Sequence, residues 1–176
     1  MAPATVSHPL LPVCGACHGS DGRSQIAGTP SLAGQPKVFL ENQLVLIREG
    51  LRDVPTMKGV LANTKDEDQS ALAAIYASLP VKTTGDKPDA TRVARGADIA
   101  KRAVCASCHL PDFAGREQMP RLAGQREDFL FSSMKEFRDG PAAGRDTLMT
   151  AALRGMTDDN LKDLAHYFAT FGPATK

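Results

Sequence analysis

The chain has 176 residues, with 21 basic and 20 acidic side chains and a formal net charge of +1 at pH 7. This balance lacks the strong basic bias of nucleic-acid-binding domains, so we expect no nucleic-acid partner. No apolar run approaches the ~18 residues that a membrane-spanning helix requires. Tryptophan is absent, aromatic residues make up 5% of the chain, and four cysteines are present. These values favour a small globular protein without a membrane span.

Residues 1–13 precede the first cysteine and include Pro3, Pro9 and Pro12, which we expect to prevent a regular helix there. Met1 to Leu11 also lacks a charged region followed by an apolar stretch, so no secretory signal peptide is recognised. We therefore expect this chain to be a mature form whose leader has been removed.

All four cysteines belong to two copies of one pattern, Cys14-Gly15-Ala16-Cys17-His18 and Cys105-Ala106-Ser107-Cys108-His109. The pattern Cys-x-x-Cys-His is typical of covalent attachment of a c-type haem. Positions i and i+3 of a helical turn face the same way, so both sulfurs can bond one porphyrin. The next residue can then bind the iron through its imidazole. The sequence therefore predicts two covalent haem c groups, with iron bound by His18 and His109.

A zinc site or a redox dithiol is the alternative use of a Cys-x-x-Cys pair. Zinc ribbons bring their second pair within about 15–20 residues of the first. Here the pairs begin at Cys14 and Cys105, far outside that range. A dithiol motif does not call for histidine at the following position. Both alternatives are therefore weaker than haem attachment.

A second repeated block follows each haem motif: Leu32-Ala33-Gly34-Gln35 recurs as Leu122-Ala123-Gly124-Gln125. Pro30 and Pro120 stand two positions before these blocks. A proximal histidine normally donates its other ring N–H to an acceptor, and the chain could return here with a proline carbonyl. The alternative is a loop proline that only stiffens the turn.

Each block leads into a helix whose apolar residues recur on one face. Pro36 suits the first turn of the first helix, and Gly50 can end it. The second helix carries its apolar face from Phe129 to Phe137, and Gly140 ends it. Closing helices follow at Asp66 to Leu79 and Asp158 to Phe171, preceded by the predicted capping boxes Thr64-x-x-Glu67 and Thr157-x-x-Asn160.

The sixth ligand of each iron is predicted to be a methionine thioether, which completes an electron-transfer site. Met57 is the realistic candidate in the first half, and aligning the closing helices places Met149 opposite it. Met134 falls within a predicted helix and is expected to be a core side chain. His8 and His166 are alternative sixth ligands, but neither has a counterpart in the repeat.

The haem propionates need hydrogen-bond donors or positive charges. Candidate side chains for this role are Gln35, Gln125, Arg48, Arg52, Arg121, Arg126 and Arg138. For any single arginine, an exposed surface position is the stronger expectation.

Turn-forming residues between the halves, from Pro80 to Asp89, indicate a linker. The sequence therefore predicts an N-terminal haem domain at residues 1–80, a linker at residues 81–91 and a C-terminal haem domain at residues 92–176. A helix from Arg92 to Val104 is predicted ahead of the second haem motif.

The chain resembles the two-haem cytochromes c of the cytochrome c4 family over nearly its whole length. The resemblance rests on Cys14-x-x-Cys17-His18-Gly19 followed by Asp21-Gly22, the Pro-x-Leu-Ala-Gly-Gln blocks at 30–35 and 120–125, Met57 and Met149, and the closing segments at 66–79 and 158–171. One departure is the absence of a predicted helix ahead of the first haem motif.

This resemblance implies an all-α fold of two tandem class I cytochrome c domains joined by a short linker. It implies His/Met ligation of both irons and haems that face each other across the interdomain interface. It also implies a periplasmic electron carrier that commonly delivers electrons to a terminal oxidase. Expected partners are redox proteins (a terminal oxidase, a quinol-oxidising complex or a dehydrogenase), and the chain is expected to be a monomer or small oligomer.

Two other functions stay open at this point. The early first motif is similar to that of the dihaem cytochrome subunits of flavocytochrome-type dehydrogenases. A haem enzyme, such as a di-haem peroxidase or a thiosulfate-oxidising cytochrome, would need an open iron site or an unusual ligand. Because every cysteine belongs to a haem motif and each iron has a candidate methionine, an electron carrier is favoured over an enzyme.

Haem c attachment ordinarily takes place outside the cytoplasm, which predicts a periplasmic location.

Overall fold

The computed structural model describes residues 7–57, 59–82, 87–140 and 146–172. Within these ranges the fold is all-α, and helices are joined by turns without a β-sheet. The helices are α1 (Leu11–His18), α2 (Lys37–Arg48), a 3-10 turn (Pro55–Met57), α3 (Asp66–Ser78), α4 (Ala90–Arg102), α5 (Ala106–His109), α6 (Glu127–Asp139), α7 (Thr147–Leu153) and α8 (Asp158–Thr170). None of the helices in these ranges has the length and apolar character to cross a bilayer.

Several helix ends follow the sequence signals. Gly50 has a φ of 68° just beyond α2, in the left-handed region that glycine adopts without steric cost. Thr157 and Asn160 form the predicted capping box at the start of α8. The Asn160 N–H donates to Thr157 Oγ1 at 3.2 Å, and the Thr157 N–H donates to Asn160 Oδ1 at 3.1 Å.

Three predictions about the starts of α1, α2 and α3 are wrong. The capping pair of α3 is shifted by one residue, because the Lys65 N–H donates to Asp68 Oδ2 at 3.0 Å while Thr64 bonds back to the Leu61 carbonyl. Pro36 precedes α2 as its N-cap instead of occupying its first turn. Pro12 does not prevent a helix, since α1 begins at Leu11 and a proline in the first turn removes no required hydrogen bond.

The helix ahead of the second haem motif, α4, begins earlier than predicted. Its N-cap is Asp89, whose carboxylate accepts the N–H groups of Thr91 at 2.9 Å and Arg92 at 3.1 Å. The helix therefore starts at Ala90, inside the span that the sequence assigned to the linker. Residues 83–86 of that predicted linker lie outside the described residues.

The core of the second half is built where α4 and α6 pack against α8. Leu161, Leu164 and Ala165 on α8 are completely buried. Gly96 on α4 makes the crossing with α8 possible, because a Cβ at this position would overlap the Asp163 carbonyl oxygen. The close approach of these two helices therefore depends on a residue without a side chain.

Charged groups also tie these three helices together. Asp163 on α8 accepts two hydrogen bonds from Arg95 on α4, at 2.5 and 2.9 Å, and the guanidinium lowers the pKa of that carboxyl. Glu127 on α6 accepts from Arg92 at 2.6 Å and lies 2.8 Å from His166 Nδ1.

The first half has a smaller core, in which α2 packs against α3. Leu40, Ala73 and Tyr76 are its buried members, and Leu11 and Cys14 pack against them. No helix equivalent to α4 precedes α1 among residues 7–10. Among the residues that the structure describes, the first half therefore has fewer helices than the second.

Replacing Gly96 by alanine is expected to lower the free energy of unfolding by about 1–3 kcal/mol, because the added methyl group forces α4 away from α8. Guanidinium unfolding of the haem-loaded protein, followed by far-UV circular dichroism, measures this change. Gly172→Ala is the matched control, since a Cβ there meets nothing within 4 Å. Equal unfolding free energies for the two variants would contradict the proposed role of Gly96.

Candidate functional site

The two histidines of the Cys-x-x-Cys-His motifs are buried at equivalent places in the two halves. His18 is the last residue of α1 and is 7% exposed, and His109 is the last residue of α5 and is 3% exposed. Each lies against a loop that returns from its own motif to the Leu-Ala-Gly-Gln block. The burial is notable because a histidine side chain needs partners for two ring nitrogens.

One ring nitrogen of each histidine bonds to a proline carbonyl. Nδ1 of His18 lies 2.8 Å from the Pro30 oxygen, and Nδ1 of His109 lies 2.8 Å from the Pro120 oxygen. A carbonyl can only accept, so Nδ1 carries a proton, and in the neutral ring Nε2 then keeps its lone pair. Burial lowers the pKa of both histidines, and the carbonyl bond partly offsets this effect. Both rings are therefore held as neutral imidazoles.

The remaining nitrogen tests whether these residues fit an iron-bound haem. Nε2 of His109 is buried and has no hydrogen-bond partner among the described residues. A buried nitrogen lone pair without a partner is unfavourable, and coordination to a metal ion satisfies it. A proton on Nδ1, a buried ring and an Nε2 atom without a hydrogen-bond partner are the features of a histidine that binds a metal ion. The residues present fit a haem iron.

The cysteines stand beside these histidines on the same helical turns. Cys14 and Cys105 are half-buried and Cys17 and Cys108 are exposed, and none of the four forms a disulfide. Burial raises the pKa of the Cys14 and Cys105 thiols.

The two cysteine pairs do not converge on one metal. Cys14 packs against the core of the first half, whereas Cys105 packs against the core of the second. Within the described ranges, no three histidine, cysteine, aspartate or glutamate side chains cluster as a metal site. Each pair instead has its own buried histidine, as separate haem attachment requires.

The residue that follows each histidine has a positive φ, in the left-handed region of backbone conformation. Gly19 follows His18 with a φ of 82°, and a Cβ there would overlap the Arg23 carbonyl. Leu110 takes the same place after His109 with a φ of 69°. The tight reversal is needed in both halves to bring the proline carbonyl back over the imidazole, although only the first half uses glycine for it.

The predicted methionines occupy different local structures. Met57 ends the short 3-10 turn and is partly buried, while Met149 lies within α7 and packs against the core of the second half. Leu61 and Leu153, four residues further on, are buried at 1% and 3% exposure. Met134 is a buried core residue of α6, as the sequence indicated. Iron ligation by Met57 and Met149 stays a prediction.

The alternative histidine ligands are engaged elsewhere. His166 Nδ1 donates to Glu127 at 2.8 Å, and its Nε2 accepts the Asp89 N–H at 2.9 Å. His8 Nδ1 accepts the Leu10 N–H at 3.2 Å, and its Nε2 lies 3.2 Å from Asp68. Both side chains hold the fold together through their two ring nitrogens, which leaves neither nitrogen for iron.

Gln35 and Gln125, which were candidates for propionate contacts, instead join the two halves. Gln35 Nε2 donates to the Arg121 carbonyl at 3.0 Å, and Gln125 Nε2 donates to the Ser31 carbonyl at 2.9 Å. Both glutamines are buried, at 4% and 2% exposure. The sequence repeat marked these residues, but no sequence signal indicated that they reach across to the other half.

Arg121 contradicts the expectation of an exposed surface arginine. It is 4% exposed, and its guanidinium donates to the carbonyl of Ala33 in the first half at 2.8 Å and to the carbonyl of Ala123. Burial lowers the pKa of Arg121 to about 10, so the side chain keeps its positive charge at neutral pH. The structure therefore places a buried cation between the halves.

The other candidate arginines lie nearer the surface. Arg48 pairs with Asp66 at 2.8 Å, Arg126 pairs with Asp128 at 2.8 Å, and Arg138 pairs with Asp158 at 2.6 Å. Arg52 donates to Gln43. Each of these guanidinium groups thus has a contact within the protein.

Comparison with known proteins agrees with this geometry. The Cytochrome c family profile matches residues 93–171. Cytochrome c4 of Pseudomonas aeruginosa is 36% identical over 135 residues, which cover 73% of this chain and 67% of the relative. The thiosulfate dehydrogenase electron acceptor of Stutzerimonas stutzeri is 31% identical over 183 residues, which cover 94% of this chain and 82% of the relative.

The fold also matches a solved structure. Reduced recombinant cytochrome c4 from Pseudomonas stutzeri superimposes with a TM-score of 0.83 at 28% sequence identity, covering 90% of this chain and 93% of the other. The match extends over both halves, each with a buried histidine beside its cysteine pair. This chain therefore belongs to the cytochrome c4 family, the haem c electron-transfer proteins built from two class I cytochrome c domains.

Proposed function

We propose that the protein is a periplasmic electron carrier with two covalent haems, which passes electrons to a terminal oxidase or another respiratory acceptor. The observation that carries this proposal is the matching pair of buried histidines, each bonded through Nδ1 to a proline carbonyl at 2.8 Å. Two equivalent sites in one chain suit transfer of an electron into one site and out through the other. The N-terminal domain is proposed to end near Pro80, and the C-terminal domain to begin with α4.

The residues around each site have separate tasks. Haem c supplies one-electron chemistry between ferric and ferrous iron when it is bound. Cys14, Cys17, Cys105 and Cys108 are proposed to hold the two groups covalently. His18 and His109 present Nε2 as a ligand, and the carbonyls of Pro30 and Pro120 keep the proton on Nδ1.

The sixth ligands are proposed to be Met57 and Met149. A thioether has little affinity for protons but binds haem iron well, and it raises the reduction potential of the haem. Met57 and Met149 would each complete the ligand set of one iron, which would exclude small molecules from the metal and favour electron transfer over catalysis. An enzyme such as a di-haem peroxidase would require one of these axial positions to be open.

A second candidate function is that of an electron-accepting subunit of a dehydrogenase complex. The relative from Stutzerimonas stutzeri is named as a thiosulfate dehydrogenase electron acceptor, and its similarity extends over 94% of this chain. This role uses the same two sites and the same ligands. It differs in the donor, which would be a catalytic partner that binds this chain and reduces it directly.

Two covalent haems per chain are expected to remain with the polypeptide when it is extracted with acidified organic solvent, giving two irons per chain. Changing Cys105 and Cys108 to serine should reduce the count to one, because the first motif is independent of the second. Iron analysis and the absorbance of the denatured protein measure both values. Free release of the pigment from the unchanged protein would contradict covalent attachment.

Replacing either Met57 or Met149 by alanine is expected to remove about half of the weak red absorption band of Met-bound ferric haem, because one of two thioether ligands is lost. Met134→Leu is the matched control, since Met134 is a buried core residue and its near-isosteric replacement should leave the band intact. A full band in both alanine variants would show that the ligands have been wrongly assigned.

The two proposed roles differ in how tightly the donor binds. A mobile carrier should be reoxidised by membranes that contain a terminal oxidase, at a rate that falls as salt screens the encounter. A subunit should co-purify with a dehydrogenase at high salt and be reduced within that complex. Stopped-flow absorbance and size-exclusion chromatography distinguish the two. Failure to exchange electrons with either class of partner would count against both roles.

A further inference from the structure

The peptide group between Pro30 and Ser31 carries two hydrogen bonds at once. Its carbonyl oxygen, on Pro30, lies 2.8 Å from Nδ1 of His18. Its N–H, on Ser31, donates to Oε1 of Gln125 at 2.8 Å. The histidine belongs to the first half of the chain and the glutamine to the second. A single planar peptide therefore stands between an imidazole of one half and a side-chain amide of the other.

The second half repeats this arrangement in the opposite direction. The carbonyl of Pro120 lies 2.8 Å from Nδ1 of His109, and the N–H of the same peptide, on Arg121, donates to Oε1 of Gln35 at 2.9 Å. Gln35 belongs to the first half. The two chains of hydrogen bonds are thus related by the internal repeat, and each crosses from one half into the other.

The orientation of both glutamine amides is determined by the backbone. A backbone N–H can only donate and a backbone carbonyl can only accept. Each glutamine therefore has Oε1 at the N–H and Nε2 at the carbonyl of the same residue, Ser31 for Gln125 and Arg121 for Gln35. Burial of the glutamines at 2% and 4% exposure excludes competing water.

We propose that Gln125 and Gln35 are positioning residues that tune the haem of the opposite half through the proline peptide and the proximal histidine. The inference rests on the proposed binding of iron by His18 and His109. A hydrogen bond to the N–H of a peptide polarises the group and makes its carbonyl a stronger acceptor, by roughly 10–30% per bond. A stronger acceptor at Nδ1–H makes Nε2 a better electron donor, which favours ferric iron.

This arrangement makes the contact between the halves part of each redox centre. The reduction potential of the first haem depends on a residue of the second half, and the reverse is also true. Any partner that moves the halves apart would remove both glutamines from their peptides and raise both potentials. Electron transfer and domain contact are therefore coupled without a change in either axial ligand.

The two chains of hydrogen bonds are not equal. Oε1 of Gln125 also accepts the N–H of Arg126 at 3.0 Å, so its acceptor strength is divided between two donors. The residue after Gln35 is Pro36, which has no N–H. Gln35 therefore acts on its peptide without this competitor. We expect its effect on the haem of His109 to be the larger of the two.

The test uses the full-length haem-loaded protein with Gln35→Met and Gln125→Met, which keep side-chain length and remove both polar atoms. Potentiometric titration followed by proton nuclear magnetic resonance reports each haem separately, once its methyl signals are assigned through contacts to His18 or His109. Gln35→Met should raise the potential of the His109 haem, and Gln125→Met that of the His18 haem. The first shift should be the larger, changing the electron distribution between the haems by roughly a few-fold.

Asp128→Ala is the matched control. Asp128 accepts the N–H of Gly28 at 2.9 Å, which is also a bond between the halves, but it does not touch either proline peptide. It should leave the difference between the two potentials unchanged. If the glutamines only held the halves together, their variants would behave like this control.

In the crossed pattern, each methionine variant shifts the potential of the haem in the opposite half, and this result supports the inference. Equal shifts of both haems, a shift confined to the haem in the variant's own half, or unchanged potentials would overturn it. If a methionine variant fails to load haem, the role of that glutamine is tested with Gln35→Glu or Gln125→Glu instead. The glutamate carboxylate keeps an acceptor at the peptide N–H, so the opposite haem's potential should fall, and an unchanged value would overturn the inference.

The inference and the proposed function fail in different ways. If the unchanged protein lacks two low-spin haems with histidine ligands, the proposed function is wrong and the inference falls with it. If both haems are present and correctly ligated but the crossed pattern is missing, only the role of the glutamines is wrong.

Discussion

The hydrogen bond from a buried imidazole to a proline carbonyl is the constraint on which the site depends. It keeps the proton on Nδ1, and the lone pair of Nε2 must then find a metal or stay unsatisfied. The loop that supplies the carbonyl is itself held in place, because Leu32 and Ala33 donate their N–H groups to the Gly22 carbonyl at 2.8 and 3.1 Å. Leu122 and Ala123 donate in the same way to Phe113. The repeated block thus closes both loops.

The two halves reach this common geometry with different supports. The second half has the α4–α8 crossing and an edge-to-face aromatic cluster in which Phe113 meets Tyr167, Phe168 and Phe171. Phe113 adopts a φ of 53°, a backbone conformation that costs a non-glycine residue roughly 1–2 kcal/mol, and its burial in this cluster offsets that cost. The first half has Gly22 at the corresponding place, with a smaller core around it.

Buried polar side chains join the two halves. Two buried glutamines and Arg121 bond to main-chain atoms of the opposite half, and an unpaired buried amide or guanidinium would be costly. Such contacts require one mutual orientation, because each donor must meet a particular carbonyl. An apolar interface would tolerate sliding. The polar one instead holds the two histidine sites in a defined relation, which suits electron transfer between them.

The sequence by itself determined the helical architecture and the two haem motifs, because these depend on local spacing and on a repeat within the chain. It left two roles open for Pro30 and Pro120, and the tertiary structure places their carbonyls at the histidines. It missed the start of α4 and the cap of α3, since several neighbouring residues can cap a helix equally well. Only the tertiary structure decided that Gln35, Gln125 and Arg121 are buried between the halves. Their partners are backbone atoms far away in the chain. Nearly every residue has a backbone N–H and a carbonyl, so the sequence does not indicate which of them a side chain will contact.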